Sequence, residues 1–224
     1  MSRSPLKIVF FGDSICFGQG VSIHRGWVTR ISAQLEILGE QMGRRVVVVN
    51  SSINGNTTRQ ALERMPYDVQ SQGAEIMIVQ FGMNDCNHWV TDKGVPRVSR
   101  EAFKANLQEI IDRARKHSAK TIILNTNHAT LRQHERLAGT DLTYEDSNRL
   151  YNEAIRSVAK ANLLDTVLND MEEAFLETPE GSLSEYLLDD HLHLSVKGHD
   201  MYYEHISKIL GPIIREMAVR DGWA

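Results

Sequence analysis

Short apolar runs alternate with segments of helical spacing along the chain, and this alternation restricts the possible folds more than any other feature. Runs rich in β-branched and aromatic residues predict five strands: residues 7–11, 46–49, 76–80, 121–125 and 163–167. Apolar residues that recur every three or four positions predict helices: residues 26–41, 58–72, 101–116, 143–162 and 196–219. This alternation favours an α/β fold in which a parallel sheet lies between two layers of helices.

The composition fits one domain that spans residues 1–224. With 42% hydrophobic residues, the chain is long enough to bury a substantial core. A net charge of −4 and the lack of a basic stripe argue against a nucleic-acid partner. No apolar run reaches the length of a membrane span or a signal peptide, so we expect a cytoplasmic protein. Its two cysteines, Cys16 and Cys86, are too few for a disulfide scaffold or a four-thiolate metal site.

Glycine and polar residues follow each of the first three predicted strands. The segments are residues 12–14 with the sequence GDS, residues 50–58 with NSSINGNTT, and residues 81–87 with FGMNDCN. Ligands of open parallel sheets bind outside the carboxyl ends of the strands. If the first strand lies between the second and third, the three segments are neighbours and can build one site.

A fourth polar segment, residues 187–199 with the sequence LLDDHLHLSVKGH, leads into the last predicted helix. Asp190 stands three positions before His193, and in a turn this spacing can place the carboxylate beside the imidazole. A serine, a histidine and an orienting aspartate are the groups that acyl transfer requires, in any chain order. Because Asp189 is adjacent, the spacing alone leaves the choice of carboxylate open.

These four segments resemble the sequence blocks of the SGNH hydrolases, also called GDSL-type esterases and lipases, and the resemblance covers nearly the whole chain. It implies that Ser14 in GDSI is the nucleophile and that Asp190 and His193 complete a catalytic triad. It also implies an oxyanion hole made of the backbone N–H groups of Ser14 and Gly55 and the side-chain amide of Asn84. The implied fold is a flavodoxin-like three-layer α/β/α sandwich with about five strands, and no metal or organic cofactor is implied.

Three positions differ from the family's usual pattern. Ile15 stands in place of the leucine of the family's name, a change that preserves size and polarity. Ser52 occupies a position where many members have glycine, and His191 follows the aspartate where glycine is common. The serine at position 52 predicts that the loop before Gly55 differs in detail from that of other members. With Asp189 and His191 beside it, Asp190 is the favoured partner of His193 and not the only candidate.

The resemblance implies a serine esterase that hydrolyses carboxylic esters of small molecules through an acyl-enzyme. The sequence contains no long apolar insertion that could form a lid, which favours short acyl groups, above all acetyl, on a small alcohol or a carbohydrate. A lysophospholipase or thioesterase of the same family is the alternative within this class. The oligomeric state does not follow from the sequence pattern.

Two alternatives from other classes stay open at this point. One is a metal-dependent hydrolase, whose ligands would come from the carboxylates and imidazoles of the same segments: Asp13, Asp85, Asp189, Asp190, His191 and His193. The other is a binding module that keeps the fold and an acyl or sugar pocket but has no turnover.

Structural roles are expected for several other polar residues near these motifs. Asp13 and Asp85 are predicted to order their loops, and the two cysteines to be small buried thiols. Residues 127–139, which include His128 and Arg132, follow the fourth strand and are predicted to form a solvated surface loop. Contact of this loop with an anionic part of a substrate is the alternative.

Overall fold

The computed structural model describes residues 4–223. The strands are β1 (Leu6–Gly12), β2 (Val46–Asn50), β3 (Ile76–Gln80), β4 (Thr121–Asn125) and β5 (Thr166–Asn169). The helices are α1 (Ser14–Phe17), α2 (Trp27–Gln41), α3 (Thr58–Asp68), α4 (Arg100–Lys116), α5 (Tyr144–Ala161), α6 (Met171–Leu176), α7 (Leu183–Tyr186) and α8 (Val196–Asp221). Short 3₁₀ helices lie at Gln70–Gln72 and Val90–Asp92.

The five strands form one parallel sheet in the order β2-β1-β3-β4-β5. This confirms the predicted α/β sandwich and the expected position of the first strand between the second and third. Helices α2 and α8 pack against each other, whereas α4 packs against both α3 and α5. The carboxyl ends of β1, β2 and β3 therefore meet at one edge of the sheet, where the polar segments begin.

Strand β1 shows why the apolar runs are continuous. Phe10 packs edge to face on Trp27 of α2 with ring centroids 5.3 Å apart, whereas Phe11 packs against Arg64 of α3. Successive side chains of a strand point to opposite faces of the sheet, so α2 and α3 cover opposite faces. A strand buried on both faces needs apolar residues at every position rather than at every second one.

Two predicted elements differ from the observed ones by more than two residues at one end, and the others agree within two residues. The helix predicted over residues 58–72 ends at Asp68, shortly after Pro66, which has no N–H to continue the helical ladder. The fifth strand occupies Thr166–Asn169 instead of residues 163–167. Leu163 and Leu164 are 75% and 102% exposed in the turn that follows α5, so their apolar character reflects no core position.

The last helix caps the first long helix. Helix α2 begins after Gly26, which has no side chain to accept a hydrogen bond from the first N–H groups. The Nδ1 atom of His199 in α8 lies 3.4 Å from the Trp27 nitrogen and accepts that bond. Burial lowers the pKa of His199 to about 4, so the imidazole is neutral and able to accept at neutral pH.

Helix α5 fixes the segment that follows β4 through three buried polar side chains on one of its sides. Glu145, Asn148 and Asn152 are three and four residues apart and therefore share a helix face. Asn152 exchanges two hydrogen bonds with the backbone of Asn127, and Asn148 donates to the carbonyl of His128 at 3.0 Å. The carboxylate of Glu145 accepts from the backbone and hydroxyl of residue 130 at 2.9 and 2.7 Å.

The segment after β4 in turn holds the polar turn at residues 190–193. The carbonyl of Asp190 accepts two hydrogen bonds from Arg132, at 3.1 and 2.9 Å. The carbonyl of His191 accepts one from the Leu131 N–H at 3.1 Å. The carbonyl of residue 192 lies 2.8 Å from Nε2 of His128. Three consecutive carbonyls of the turn are thus bound by one neighbouring segment.

The prediction that residues 127–139 form a solvated surface loop is wrong for their first part. Residues 127–130 are buried, and the ring of His128 is fully enclosed between Tyr202 and the carbonyl of Leu192. His134 and Arg136 are exposed as expected. The side chains of residues 145, 148 and 152 provide the partners that let this polar segment be buried.

Among the helices of residues 4–223, none combines the length and the apolar character that a bilayer crossing requires.

The start of α8 crosses the preceding segment so closely that it requires glycine. A Cβ on Gly198 would lie 2.2 Å from the carbonyl oxygen of Tyr186, whereas one on Gly211 would meet only the flexible end of Arg215, at 3.3 Å. We expect Gly198→Ala to lower the free energy of unfolding by about 1–3 kcal/mol. Gly211→Ala, the matched control, should leave it unchanged or raise it by up to about 1 kcal/mol, because alanine favours a helix. Urea unfolding measures both values, and equal values for the two variants would contradict the close contact.

His128 should make a pH-dependent contribution to stability. Burial lowers its pKa from 6.5 to about 3, so the folded protein keeps the imidazole neutral. Below the pKa of the unfolded chain, unfolding takes up a proton that the folded protein does not bind, and the stability owed to His128 declines as the pH falls. His128→Gln should therefore destabilise at pH 7.5, and its difference from the wild type should shrink by about 2 kcal/mol at pH 5. Urea unfolding at both pH values measures this difference, and a constant difference would contradict a neutral buried imidazole.

Candidate active site

The loop after β1 holds Ser14 at the first position of α1. Asp13 is the N-cap of this helix, and its Oδ1 accepts a hydrogen bond from the Ile15 N–H at 3.0 Å. The helix ends at Gly18, which adopts the left-handed conformation with φ 85°. This confirms the predicted loop-ordering role of Asp13, and it leaves the Ser14 hydroxyl at the edge of the sheet with 6% of the residue exposed.

The imidazole of His193 lies between Ser14 and a carboxylate. Its Nε2 is 2.9 Å from Oγ of Ser14, and its Nδ1 is 2.5 Å from Oδ2 of Asp190. With a proton on Nδ1 facing the carboxylate, Nε2 is the acceptor for the serine hydroxyl. A hydroxyl in this arrangement can lose its proton to the ring as it attacks an electrophile.

Asp190 is held on both of its oxygens. While Oδ2 binds the ring of His193, Oδ1 accepts from the backbone N–H groups of residues 192 and 193 at 3.0 and 2.9 Å. Partial burial opposes ionisation, but the hydrogen bonds from His193 and from these N–H groups outweigh it and lower the pKa of Asp190 to about 2. Asp189 is exposed and makes none of these contacts, so the geometry selects Asp190 from the two adjacent carboxylates.

Asn84 lies against the nucleophile loop. Its Nδ2 donates to Oδ2 of Asp13 at 3.3 Å, and its Oδ1 accepts from Nη1 of Arg97 at 3.3 Å. The same arginine also binds the loop after β2, because the carbonyl of Gly55 accepts a hydrogen bond from Nη2 of Arg97 at 3.0 Å. Gly55 has φ 76°, and a Cβ there would meet nothing within 4 Å, so the left-handed backbone rather than crowding favours glycine.

Two buried carboxylates lie beneath these residues. Burial, reinforced by the nearby charge of Asp85, raises the pKa of Asp13 to about 7 despite its hydrogen bonds to Ile15 and Asn84. Burial likewise raises the pKa of Asp85 to about 6, against the hydrogen bonds that its Oδ1 accepts from the backbone and hydroxyl of Thr58 at 2.9 and 2.5 Å. Asp85 orders its loop, as predicted.

Two residues that support the site are not indicated by the sequence motifs: Arg97 contacts Asn84 and Gly55, and His128 binds the turn that carries His193. Arg97 is at the end of the irregular segment after β3, where no periodicity indicates which side chains return to the sheet edge. His128 falls within residues 127–139, which the sequence predicts to be a surface loop. The stripe of Glu145, Asn148 and Asn152 on one side of α5 was the available signal for His128, since three polar residues at helical spacing need buried partners.

The residues weighed as metal ligands do not converge. Within residues 4–223, no group of three or more His, Cys, Asp or Glu side chains is arranged to hold a metal ion. Asp190 is bound to His193, Asp85 to Thr58 and Asp13 to Ile15. Each of these carboxylates is thus engaged with a protein donor of its own.

Both cysteines are free and buried. Cys16 lies under the nucleophile loop, where a Cβ on Gly12 would approach its Sγ within 2.9 Å. The thiol of Cys86 donates to the carbonyl of Met83 at 3.4 Å. Burial raises the pKa of both thiols, which agrees with the expected role as small buried side chains.

Comparison with known proteins gives consistent matches. Residues 10–201 match the model of the GDSL-like lipase/acylhydrolase family. The chain is 29% identical over 223 residues to the uncharacterized lipoprotein YqeF of Bacillus subtilis, covering 91% of this chain and 89% of that protein. It is 24% identical over 123 residues to an arylesterase of Vibrio mimicus, covering 55% of this chain and 56% of that enzyme.

The fold is also similar to solved structures. The crystal structure of the acetyl xylan esterase AlAXEase superposes with a TM-score of 0.70 and 22% identity, covering 91% of this chain and 98% of that one. At this identity the likeness shows the fold, and the family match over residues 10–201 shows the membership. The chain belongs to the GDSL-like lipase/acylhydrolase family, and it is a carboxylic ester hydrolase of that family.

Proposed function

We propose that the protein is a serine esterase that removes short acyl groups, above all acetyl, from a small alcohol or a carbohydrate. The observation that carries the proposal is the continuous hydrogen-bond chain from Ser14 through His193 to Asp190, with heavy-atom distances of 2.9 and 2.5 Å. In this proposal the three residues are the catalytic triad, and they act without a metal or an organic cofactor.

In the first half of the reaction Ser14 attacks the ester. Its hydroxyl proton passes to Nε2 of His193 as Oγ bonds to the carbonyl carbon, and the carboxylate of Asp190 stabilises the imidazolium that forms. The tetrahedral intermediate then expels the alkoxide, which takes the proton from Nε2 and leaves as the alcohol. The product of this half is an acyl-enzyme on Ser14.

In the second half a water molecule replaces the alcohol. Nε2 of His193 accepts a proton from the water as its oxygen bonds to the acyl carbon, and the second tetrahedral intermediate returns that proton to Oγ of Ser14. The free acid leaves and the enzyme is restored. Asp190 stays a carboxylate throughout, which agrees with its pKa of about 2.

The negative oxygen of both intermediates needs donors that are already in place. In the proposal these are the backbone N–H groups of Ser14 and Gly55 and the Nδ2 group of Asn84. The Asn84 amide is fixed at both ends by Asp13 and Arg97, so it requires no reorganisation when the charge develops.

Two observations support a short acyl group on a polar alcohol. The chain contains no long apolar insertion that could cover an acyl chain. A structure of similar fold is that of an acetyl xylan esterase. The cytoplasmic location stays a prediction.

The choice of carboxylate has a direct test with a neighbouring control. Asp190→Asn should lower kcat for p-nitrophenyl acetate on the order of 10⁴-fold, because an amide cannot stabilise the imidazolium or hold its tautomer. Asp189→Asn removes the same charge one position away and should leave kcat unchanged. Ser14→Ala and His193→Ala should abolish turnover and, for Ser14→Ala, labelling by a fluorophosphonate. Full activity in Ser14→Ala with EDTA present would remove the serine mechanism.

The acyl preference is tested with p-nitrophenyl esters from acetate to palmitate, followed by an acetylated xylo-oligosaccharide. We expect kcat/KM to be highest for acetate and to fall with each longer chain, because no apolar insertion covers the acyl group. Release of acetate from the oligosaccharide should depend on Ser14. A maximum at eight carbons or more would contradict the short-acyl proposal and favour a lysophospholipase or thioesterase.

A further inference from the structure

Arg97 joins the two loops that provide donors to the proposed oxyanion hole. Its Nη1 donates to Oδ1 of Asn84 at 3.3 Å, and its Nη2 donates to the carbonyl of Gly55 at 3.0 Å. Gly55 follows β2 and Asn84 follows β3, and these strands are not neighbours, because β1 lies between them. One guanidinium therefore links two segments that the sheet itself does not bring into contact.

The guanidinium also fixes which way the Asn84 amide points. Arginine can only donate hydrogen bonds, so the atom that faces Arg97 must be the carbonyl oxygen of the amide. The nitrogen at the other end of the amide then faces Oδ2 of Asp13, 3.3 Å away. The guanidinium thus excludes the flipped orientation, which would place two donors against each other and point the oxygen toward a developing oxyanion.

Arg97 is itself held in place. Its guanidinium lies over the ring of Trp89 at 4.6 Å from the centroid, and its backbone N–H donates to the carbonyl of Asn87 at 2.9 Å. The buried carboxylate of Asp85 is close enough to interact with its charge. A stacked and half-buried arginine is preorganised, so little side-chain freedom is lost when it binds its two acceptors.

We propose that Arg97 is a positioning residue of the oxyanion hole: it orients the Asn84 amide and holds the Gly55 loop beside it. The positive charge of the Arg97 guanidinium, next to Oδ1 of Asn84, polarises the amide. This polarisation strengthens Nδ2 as a donor to the oxyanion. The inference rests on the proposed function, because it needs a reaction in which an oxyanion forms at Asn84.

The first experiment compares two arginines that line the same groove, which lies between residues 57–60 and 89–97. Arg97→Ala should lower kcat for p-nitrophenyl acetate about 10- to 100-fold, less than the about 10²- to 10³-fold expected for Asn84→Ala, with KM changed less than about two-fold. Arg59→Ala removes the same charge from an exposed side chain that contacts neither loop donor, and it should leave kcat unchanged. Arg97→Lys should recover only part of the loss, since an ammonium cannot span both acceptors in one plane.

Two further measurements separate positioning from general destabilisation. Methylguanidinium added to Arg97→Ala should restore part of kcat, and it should not affect Arg59→Ala. In an Asn84→Ala background, Arg97→Ala should cost at most about two-fold, because the amide that it orients is gone. The pH dependence of kcat should keep the shape of the wild type, since His193 and Asp190 are untouched. If Arg97→Ala does not fold, Arg97→Lys and its double mutant carry the same comparison.

Several outcomes would overturn the proposal. A loss that appears in KM alone would make Arg97 a substrate-binding residue, and an unchanged kcat would give it no part in the reaction. An equal loss in the wild-type and Asn84→Ala backgrounds would show an effect that does not pass through Asn84. Failure of the proposed function is distinct from these outcomes, because it would appear as activity that persists in Ser14→Ala.

Discussion

The position of His193 depends on hydrogen bonds to the backbone of the turn that carries it. The carbonyls of residues 190, 191 and 192 are each bound by the segment that follows β4. That segment has no apolar core of its own, and it is fixed by the buried side chains of Glu145, Asn148 and Asn152. An unpaired buried polar group costs about 1–3 kcal/mol, so the buried contacts among these, which include those of His128 and of the three α5 side chains, resist displacement. Helix α5 thus fixes the segment after β4, and that segment fixes the turn that carries His193.

The other side of the site depends on a row of hydrogen bonds that runs from a carboxyl group through an amide to a guanidinium. Asp13, the Asn84 amide and Arg97 follow one another, and each binds the next. Asp13 also caps α1, the helix that begins at Ser14, and so connects this row of hydrogen bonds to the nucleophile. An ionised carboxylate would repel the oxyanion that must form nearby. Burial raises the pKa of Asp13 to about 7. The half-buried guanidinium of Arg97 supplies a positive charge near the other buried carboxylate, that of Asp85.

Most of the fold follows from sequence periodicity, because strands buried on both faces read as continuous apolar runs and long helices repeat every three to four residues. The short helices α1, α6 and α7 have four to six residues, which is too few for a period to be recognised. Ser14, Gly55, Asn84, Asp190 and His193 were named from local motifs. Local motifs do not indicate Arg97 and His128, because these residues act through contacts with residues distant in the sequence, and only tertiary structure brings them to the sheet edge.

The left-handed backbone conformation of His191 follows from the geometry of the same turn. His191 has φ 61°, a left-handed conformation that costs an L-residue about 1–2 kcal/mol, although histidine tolerates it better than most. Its N–H donates to the carbonyl of Leu188 at 2.8 Å, and its carbonyl accepts from Leu131 at 3.1 Å. Both backbone groups are therefore paired with fixed partners, which offsets the cost of the conformation. The chain must turn this tightly so that Asp190 can bind the backbone of residues 192 and 193 with one oxygen and the His193 ring with the other. The strain at His191 is thus a consequence of placing carboxylate and imidazole in one short turn.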